Sequence, residues 1–148
     1  MNSQNNSESK SKLIISEEDE EFFKQWSDTT LLFENWTHKA HIRIAYIVIN
    51  KYYPDKAKIE NVIRSGIQKF NNVHKSKLTV GYHETITIFW IRQVTEAVIR
   101  HLESNLSFEE FLSKESHLLE SKLLFEYYSK DYLFRDVARV EYLPPNLK

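Results

Sequence analysis

Residues 38–52, with the sequence HKAHIRIAYIVINKY, decide the fold that this chain is expected to adopt. Apolar side chains recur there at helical spacing, among them Ala40, Ile44, Ala45, Ile47 and Val48. The many β-branched residues make a strand the rival interpretation. A helix is favoured because the run is long and lacks the alternation of a half-buried strand. Thr37 is the predicted N-cap, and Pro54 ends the helix.

The segments on both sides carry similar helical patterns. Ser16 followed by acidic residues predicts a first helix at about 17–27, and an apolar stripe predicts another at about 55–72. Gly66 lies within that stripe and costs roughly 1 kcal/mol of helix propensity relative to Ala, which indicates close packing against a neighbour. Further helices are expected at about 83–103, 108–114, 117–128 and 130–139.

The composition agrees with a single all-α domain. The 148 residues are 41% apolar but include only 2 glycines and 3 prolines. A sandwich or barrel needs many turns, so this scarcity favours helices. We therefore expect a compact bundle of four main helices with short C-terminal helices. Residues 16–148 would form this single helical domain, behind a mobile N-terminal tail at residues 1–15.

Charge and cysteine content exclude several classes of protein and site. The net charge of −1 lacks the basic footprint of a nucleic-acid-binding protein. The absence of cysteine excludes disulfides, thiolate zinc sites and a cysteine nucleophile. The first residues lack the apolar core of a secretory signal, and no apolar stretch approaches the roughly 20 residues that cross a bilayer. We therefore expect a cytoplasmic protein without nucleic-acid or membrane partners.

Two polar clusters each lie at the start of a strongly apolar helix. The first cluster is residues 36–41 (WTHKAH), and the second cluster is residues 82–87 (YHETIT). Helices joined by short loops usually run antiparallel, so the second and fourth helices should begin at the same end of the bundle. That end would bring together His38, His41, His83 and Glu84.

These side chains suit a metal or a small ligand. Three histidines and a glutamate are appropriate ligands for zinc, iron, copper or manganese, and such sites can keep a coordination position open for catalysis. His83 and Glu84 are the candidate catalytic residues, with Glu84 as a ligand or a general base. Because adjacent helical residues point about 100° apart, the two side chains are not expected to aim at one point unless Tyr82 and His83 are still extended. The sequence predicts a divalent transition metal or a small-molecule ligand or substrate, and leaves open whether the site is catalytic.

Two alternatives remain at this point. Paired helix N-termini attract anions, so the protein could instead bind an anion with help from Arg43 or Arg92. The same positive field would lower histidine pKa values and keep the imidazoles neutral. The other alternative is a non-catalytic interaction module whose histidines cap helices and pack against Trp36 or Trp90. The substrate and the oligomeric state do not follow from the sequence.

The chain resembles a family of small, largely uncharacterised bacterial helical proteins over about residues 31–145. The resemblance rests on the motifs WxHxAH and YHETxTxxW and on a looser YYS stretch. In this chain the motif residues are Trp36, His38, Ala40 and His41; Tyr82, His83, Glu84, Thr85, Thr87 and Trp90; and Tyr127, Tyr128 and Ser129. The resemblance implies that the two polar clusters belong together, and it suggests no substrate.

Overall fold

The four main helices lie close to where the sequence patterns predict them. The structure is a computed structural model and describes residues 13–148. Its main helices are α1 (Glu17–Ser27), α2 (His38–Tyr52), α3 (Lys56–Val73) and α4 (Glu84–Ile99). No strand occurs within the described residues. The expected all-α bundle is therefore confirmed.

Side-chain caps fix where these helices begin. The Ser16 hydroxyl accepts a hydrogen bond from the Asp19 backbone N–H, and the Asp19 carboxylate accepts one from the Ser16 N–H. Thr37 accepts from the Ala40 N–H in the same way. Both N-caps were expected from the sequence. They satisfy backbone donors that no helical carbonyl can reach.

Helix α2 forms the centre of the bundle. It packs against α1, α3 and α4, and residues 44–49 are all buried. A helix that is apolar on nearly every side is typical of a protein interior. The central, buried position of α2 therefore accounts for its many apolar β-branched residues. The close packing expected at Gly66 is also confirmed, because a Cβ at this position would overlap the buried indole of Trp26. None of the helices within residues 13–148 combines the length and apolar character needed to cross a membrane.

The C-terminal third is more broken than the sequence predicts. After α5 (Phe108–Lys114), the expected helix at 117–128 is replaced by two 3₁₀ turns and the short α6 (Leu124–Tyr127). Leu118 packs into the main core, whereas Leu124 packs into a second, smaller core. The chain must turn between the two cores, which a continuous helix would not allow. The expected helix at 130–139 is likewise divided into α7 (Lys130–Leu133) and α8 (Asp136–Val140).

The packed chain begins before the predicted domain start at Ser16. Leu13 is buried and its N–H donates to the Asn50 side chain, while Ile14 accepts a hydrogen bond from the Tyr46 hydroxyl. These contacts tie residues 13–15 to the bundle. The rest of the predicted tail, residues 1–12, lies outside the described residues.

Candidate functional site

A cavity of about 650 Å³ lies among α2, α3 and α4 at the end where α2 and α4 begin. Residues 77–81 and α8 complete its mouth. His38, His41 and His83 all line this cavity, so the expected meeting of the two clusters takes place. Most of its wall is apolar, including Trp36, Ile44, Ile63, Ile67, Trp90 and Phe134.

His38 is held by one of its two ring nitrogens. Its Nε2 lies 2.9 Å from the backbone carbonyl oxygen of Leu118. A carbonyl oxygen can only accept, so Nε2 carries the proton and donates. The ring packs edge-on against Trp90 with 4.7 Å between the ring centroids. Within residues 13–148, Nδ1 of His38 makes no hydrogen bond.

His41 is held in the same manner through its other nitrogen. Its Nδ1 donates to the Thr37 carbonyl oxygen at 2.7 Å, and its ring stacks on Trp36 with centroids 3.7 Å apart. Burial is the largest cause that lowers the pKa of His41 to about 4, and the positive charge of a protonated His38 would lower it further. The ring is therefore neutral at pH 7, and no described residue donates to the lone pair on Nε2. The lowered pKa was expected, but burial is its largest cause.

His83 has no ring nitrogen to spare. Nε2 donates to the Leu133 carbonyl oxygen at 3.0 Å, and Nδ1 accepts from the Ile86 N–H at 3.2 Å as the N-cap of α4. Burial, together with the positive charge of Arg139, lowers the pKa of His83. Both nitrogens are thus engaged within the fold, and the role of His83 as a metal ligand or catalytic residue stays a prediction that this geometry does not support.

Glu84 lies outside the cavity and is fully paired. The Arg64 guanidinium binds its carboxylate through two contacts, Nε to Oε1 at 2.9 Å and Nη2 to Oε2 at 2.6 Å, and the Tyr82 hydroxyl donates to Oε1 at 2.6 Å. The hydrogen bonds from Arg64 are the main reason that the pKa of Glu84 is lowered. His83 is extended, yet only His83 and not Glu84 lines the cavity. The role of Glu84 as a metal ligand or base stays a prediction, and the geometry favours a structural ion pair.

The predicted metal centre does not fit this arrangement. No group of three or more His, Asp or Glu side chains in residues 13–148 could hold one ion. Of the predicted ligands, His38 and His41 each keep a ring nitrogen that makes no hydrogen bond within residues 13–148. The arrangement of the described residues therefore does not support the metal site, and a divalent zinc, iron, copper or manganese ion stays a prediction.

The arginines expected to assist an anion at the helix N-termini are engaged elsewhere. Arg43 pairs with Asp19, with Nε 2.9 Å from Oδ1, and Arg92 donates to the Tyr142 hydroxyl at 2.9 Å. Neither arginine lines the cavity. Thr37 and His83 already cap the two helices. The positions of Arg43 and Arg92 therefore do not support an anion site at the helix N-termini, and that alternative stays untested.

The C-terminal residues that form one wall of the cavity were not predicted from the sequence. Phe134 and Arg139 line the cavity, and Arg139 Nη1 donates to the Tyr82 carbonyl oxygen at 2.9 Å. The buried Thr85 hydroxyl donates to the Ala138 carbonyl oxygen at 2.7 Å and accepts from the Leu143 N–H at 3.1 Å. These contacts join residues more than fifty positions apart. No local sequence pattern therefore predicts them.

Comparison with family models, with curated proteins and with solved structures found no match for this chain. Its function is therefore argued from the cavity and the residues around it.

Proposed function

We propose that the cavity binds a small, mostly apolar molecule that carries at least one hydrogen-bond donor. The supporting observation is that His38 and His41 each hold one ring nitrogen on a backbone carbonyl and leave the other unpaired beside an apolar cavity. A volume of about 650 Å³ lies within the roughly 300–1,000 Å³ typical of small-molecule sites.

The walls favour a flat ring system. Trp36 and Trp90 both line the cavity, and each contacts one of the two histidines. Offset or edge-on aromatic pairs add about 0.5–1.5 kcal/mol to the free energy gained from burial alone. An aromatic ligand would therefore gain more here than an aliphatic one of equal area.

The unpaired nitrogens supply the polar part of recognition. A ligand that covers Nε2 of His41 takes this acceptor out of water, and an acceptor buried without a donor costs about 1–3 kcal/mol. A ligand N–H or O–H placed against Nε2 avoids that cost, whereas an apolar ligand of the same shape incurs it. Asn71 also lines the cavity and brings an uncharged side-chain amide to its wall.

Binding is favoured over acid–base catalysis by the pKa of His41. Efficient general bases have pKa values near the working pH, whereas burial lowers that of His41 to about 4. Such a ring accepts hydrogen bonds at pH 7 but abstracts protons poorly. The proposal is therefore for recognition of a ligand, without a chemical step.

A fluorescent probe of the right chemistry tests this proposal. N-phenyl-1-naphthylamine is apolar and aromatic, carries one N–H donor, and brightens on leaving water. We expect saturable binding of one probe per chain. Thr87→Phe should weaken it at least tenfold, because Thr87 lines the cavity and its hydroxyl bonds only the His83 carbonyl oxygen of its own turn.

Thr95→Phe is the matched control. Thr95 lies on the same helix, is half-buried and makes the same kind of bond, to the Ile91 carbonyl oxygen at 2.7 Å, but it does not line the cavity. Circular dichroism checks that both variants are folded. Absence of saturable binding, or equal weakening by both substitutions, would contradict the proposal.

A further inference from the structure

The charged residues around the cavity all have the same sign. Lys77 and Arg139 line it, and no Asp or Glu among residues 13–148 does. The chain as a whole carries 21 acidic and 20 basic residues, so this local excess of positive charge does not reflect the composition. Lys77 is exposed and Arg139 half-buried, which puts both charges at the mouth of the cavity.

Arg139 differs from the other half-buried arginines. Arg43 and Arg64 are half-buried as well, and each is paired with a carboxylate at 2.9 Å or less. Arg139 forms no ion pair within residues 13–148. Its Nη1 contacts the carbonyl oxygens of Tyr82 and Gly81, while Nε and Nη2 make no hydrogen bond with any described residue. Its charge is thus positioned by the backbone but not neutralised.

We infer that the ligand of the proposed binding site is an organic anion, with its aromatic body in the cavity and its acidic group at the mouth between Lys77 and Arg139. This inference rests on the proposed function. The planar guanidinium suits a carboxylate or similar oxyanion, which it can bind through two parallel hydrogen bonds. Lys77 adds a second, flexible charge on the facing segment.

The cavity and its mouth suit different parts of such a ligand. The apolar walls and the unpaired histidine nitrogens accommodate an aromatic body with a donor, but they offer no compensation for a buried negative charge. The cationic mouth is partly exposed to solvent, where an acidic group keeps some hydration while it contacts both cations. A ligand with its charge at one end therefore matches both parts.

A matched pair of probes separates this inference from the proposed function. 5-Anilino-1-naphthalenesulfonate has the skeleton of N-phenyl-1-naphthylamine plus one sulfonate on the ring remote from the N–H. We expect the anionic probe to bind about tenfold more tightly, since charge-assisted hydrogen bonds at a partly exposed site are worth about one factor of ten. Raising the salt concentration from 0.05 M to 0.5 M should reduce this preference, because added ions screen exposed charges.

Variants locate the anionic group. Lys77→Gln and Arg139→Gln should each reduce the ratio of the two affinities about threefold, with both affinities measured on the same variant. Gln at position 139 retains an amide donor for the Tyr82 carbonyl oxygen. Lys75→Gln is the control, because Lys75 lies in the same 3₁₀ turn as Lys77 but does not line the cavity.

Each outcome bears on one of the two proposals. If the neutral probe binds and the anionic probe binds no more tightly, the inference is overturned while the proposed function stands. A preference that survives Lys77→Gln, or that Lys75→Gln reduces equally, places the anion elsewhere and also overturns the inference. If neither probe binds, the proposed function itself fails.

Discussion

The first and second clusters begin two neighbouring helices and contribute histidines to the same cavity. Their polar groups differ in how many of their hydrogen-bonding positions the fold itself uses. In the second cluster, His83 uses both ring nitrogens, and Glu84 is held by Arg64 and Tyr82. In the first cluster, His38 and His41 each use one nitrogen and keep the other unpaired among the described residues.

This difference teaches how to distinguish structural from functional histidines. Residue type and position are nearly the same in the two clusters, so neither property separates them. The separation comes from counting the hydrogen-bonding positions that remain once the fold is satisfied. Substitutions in the second cluster should therefore lower stability, whereas those in the first should lower ligand affinity.

The largest effect is expected for His83→Phe. The substitution keeps an aromatic ring but leaves the Ile86 N–H and the Leu133 carbonyl oxygen without their partner. Each unsatisfied buried group costs about 1–3 kcal/mol, so the free energy of unfolding should fall by about 2–4 kcal/mol. Urea denaturation followed by circular dichroism measures it. A loss below about 0.5 kcal/mol would show that His83 is not structural.

Glu84→Gln should have the next largest effect. The carboxylate and Arg64 side chains are only 13% and 29% exposed, so removing the negative charge leaves a poorly hydrated guanidinium unpaired. We expect a loss of about 1–3 kcal/mol in the free energy of unfolding. Glu96→Gln is the control, because Glu96 is exposed on the same helix without an ion pair within residues 13–148. If both variants lose the same free energy of unfolding, the ion pair of Glu84 does not stabilise the fold.

His41→Phe tests the first cluster by the same substitution as at His83. The ring can still stack on Trp36, and the Thr37 carbonyl oxygen keeps the His41 backbone N–H as its donor. Stability should change by less than about 1 kcal/mol, while affinity for N-phenyl-1-naphthylamine falls about three- to tenfold through the lost acceptor. His117→Gln is the control at an exposed histidine away from the cavity. If His41→Phe strongly lowers stability, yet its folded molecules bind the probe with normal affinity, His41 is structural. The comparison between the two clusters would then be reversed.

The last prediction on stability concerns pH. The pKa of His41 is lowered from 6.5 to about 4, so between these values the unfolded chain binds more protons than the folded one. Stability from this residue is complete above about pH 6.5 and is lost as pH falls towards 4. His41→Phe should flatten this slope between pH 6.5 and 5. Affinity for the neutral probe should be constant from pH 8 to 5, and a midpoint near 6.5 would mean that His41 is not buried.

The sequence predicts those features of the molecule that depend on local patterns. Helix starts at Ser16 and Thr37 follow from N-cap chemistry, and the packing at Gly66 follows from a glycine within an apolar stripe. The meeting of the two clusters follows from the antiparallel course of α2, α3 and α4. Each of these features needs only nearby residues and short connections.

The state of each polar group in the site could not be predicted in this way. His38 donates to a carbonyl eighty positions away and His83 to one fifty positions away. Every residue has a backbone carbonyl, so residue type does not indicate which carbonyl a histidine will contact. The ion pair of Glu84 with Arg64 was missed for a related reason, because many arginines at that distance would look equally suitable.

The most direct test of the central claim is nitrogen-15 NMR of the histidine rings with and without N-phenyl-1-naphthylamine. We predict that His38 and His83 carry the proton on Nε2 and that His41 carries it on Nδ1. On addition of the probe, the unprotonated nitrogens of His38 and His41 should shift, and both nitrogens of His83 should stay in place. Shifts confined to His83, or a His41 ring that is protonated at pH 6, would contradict the account.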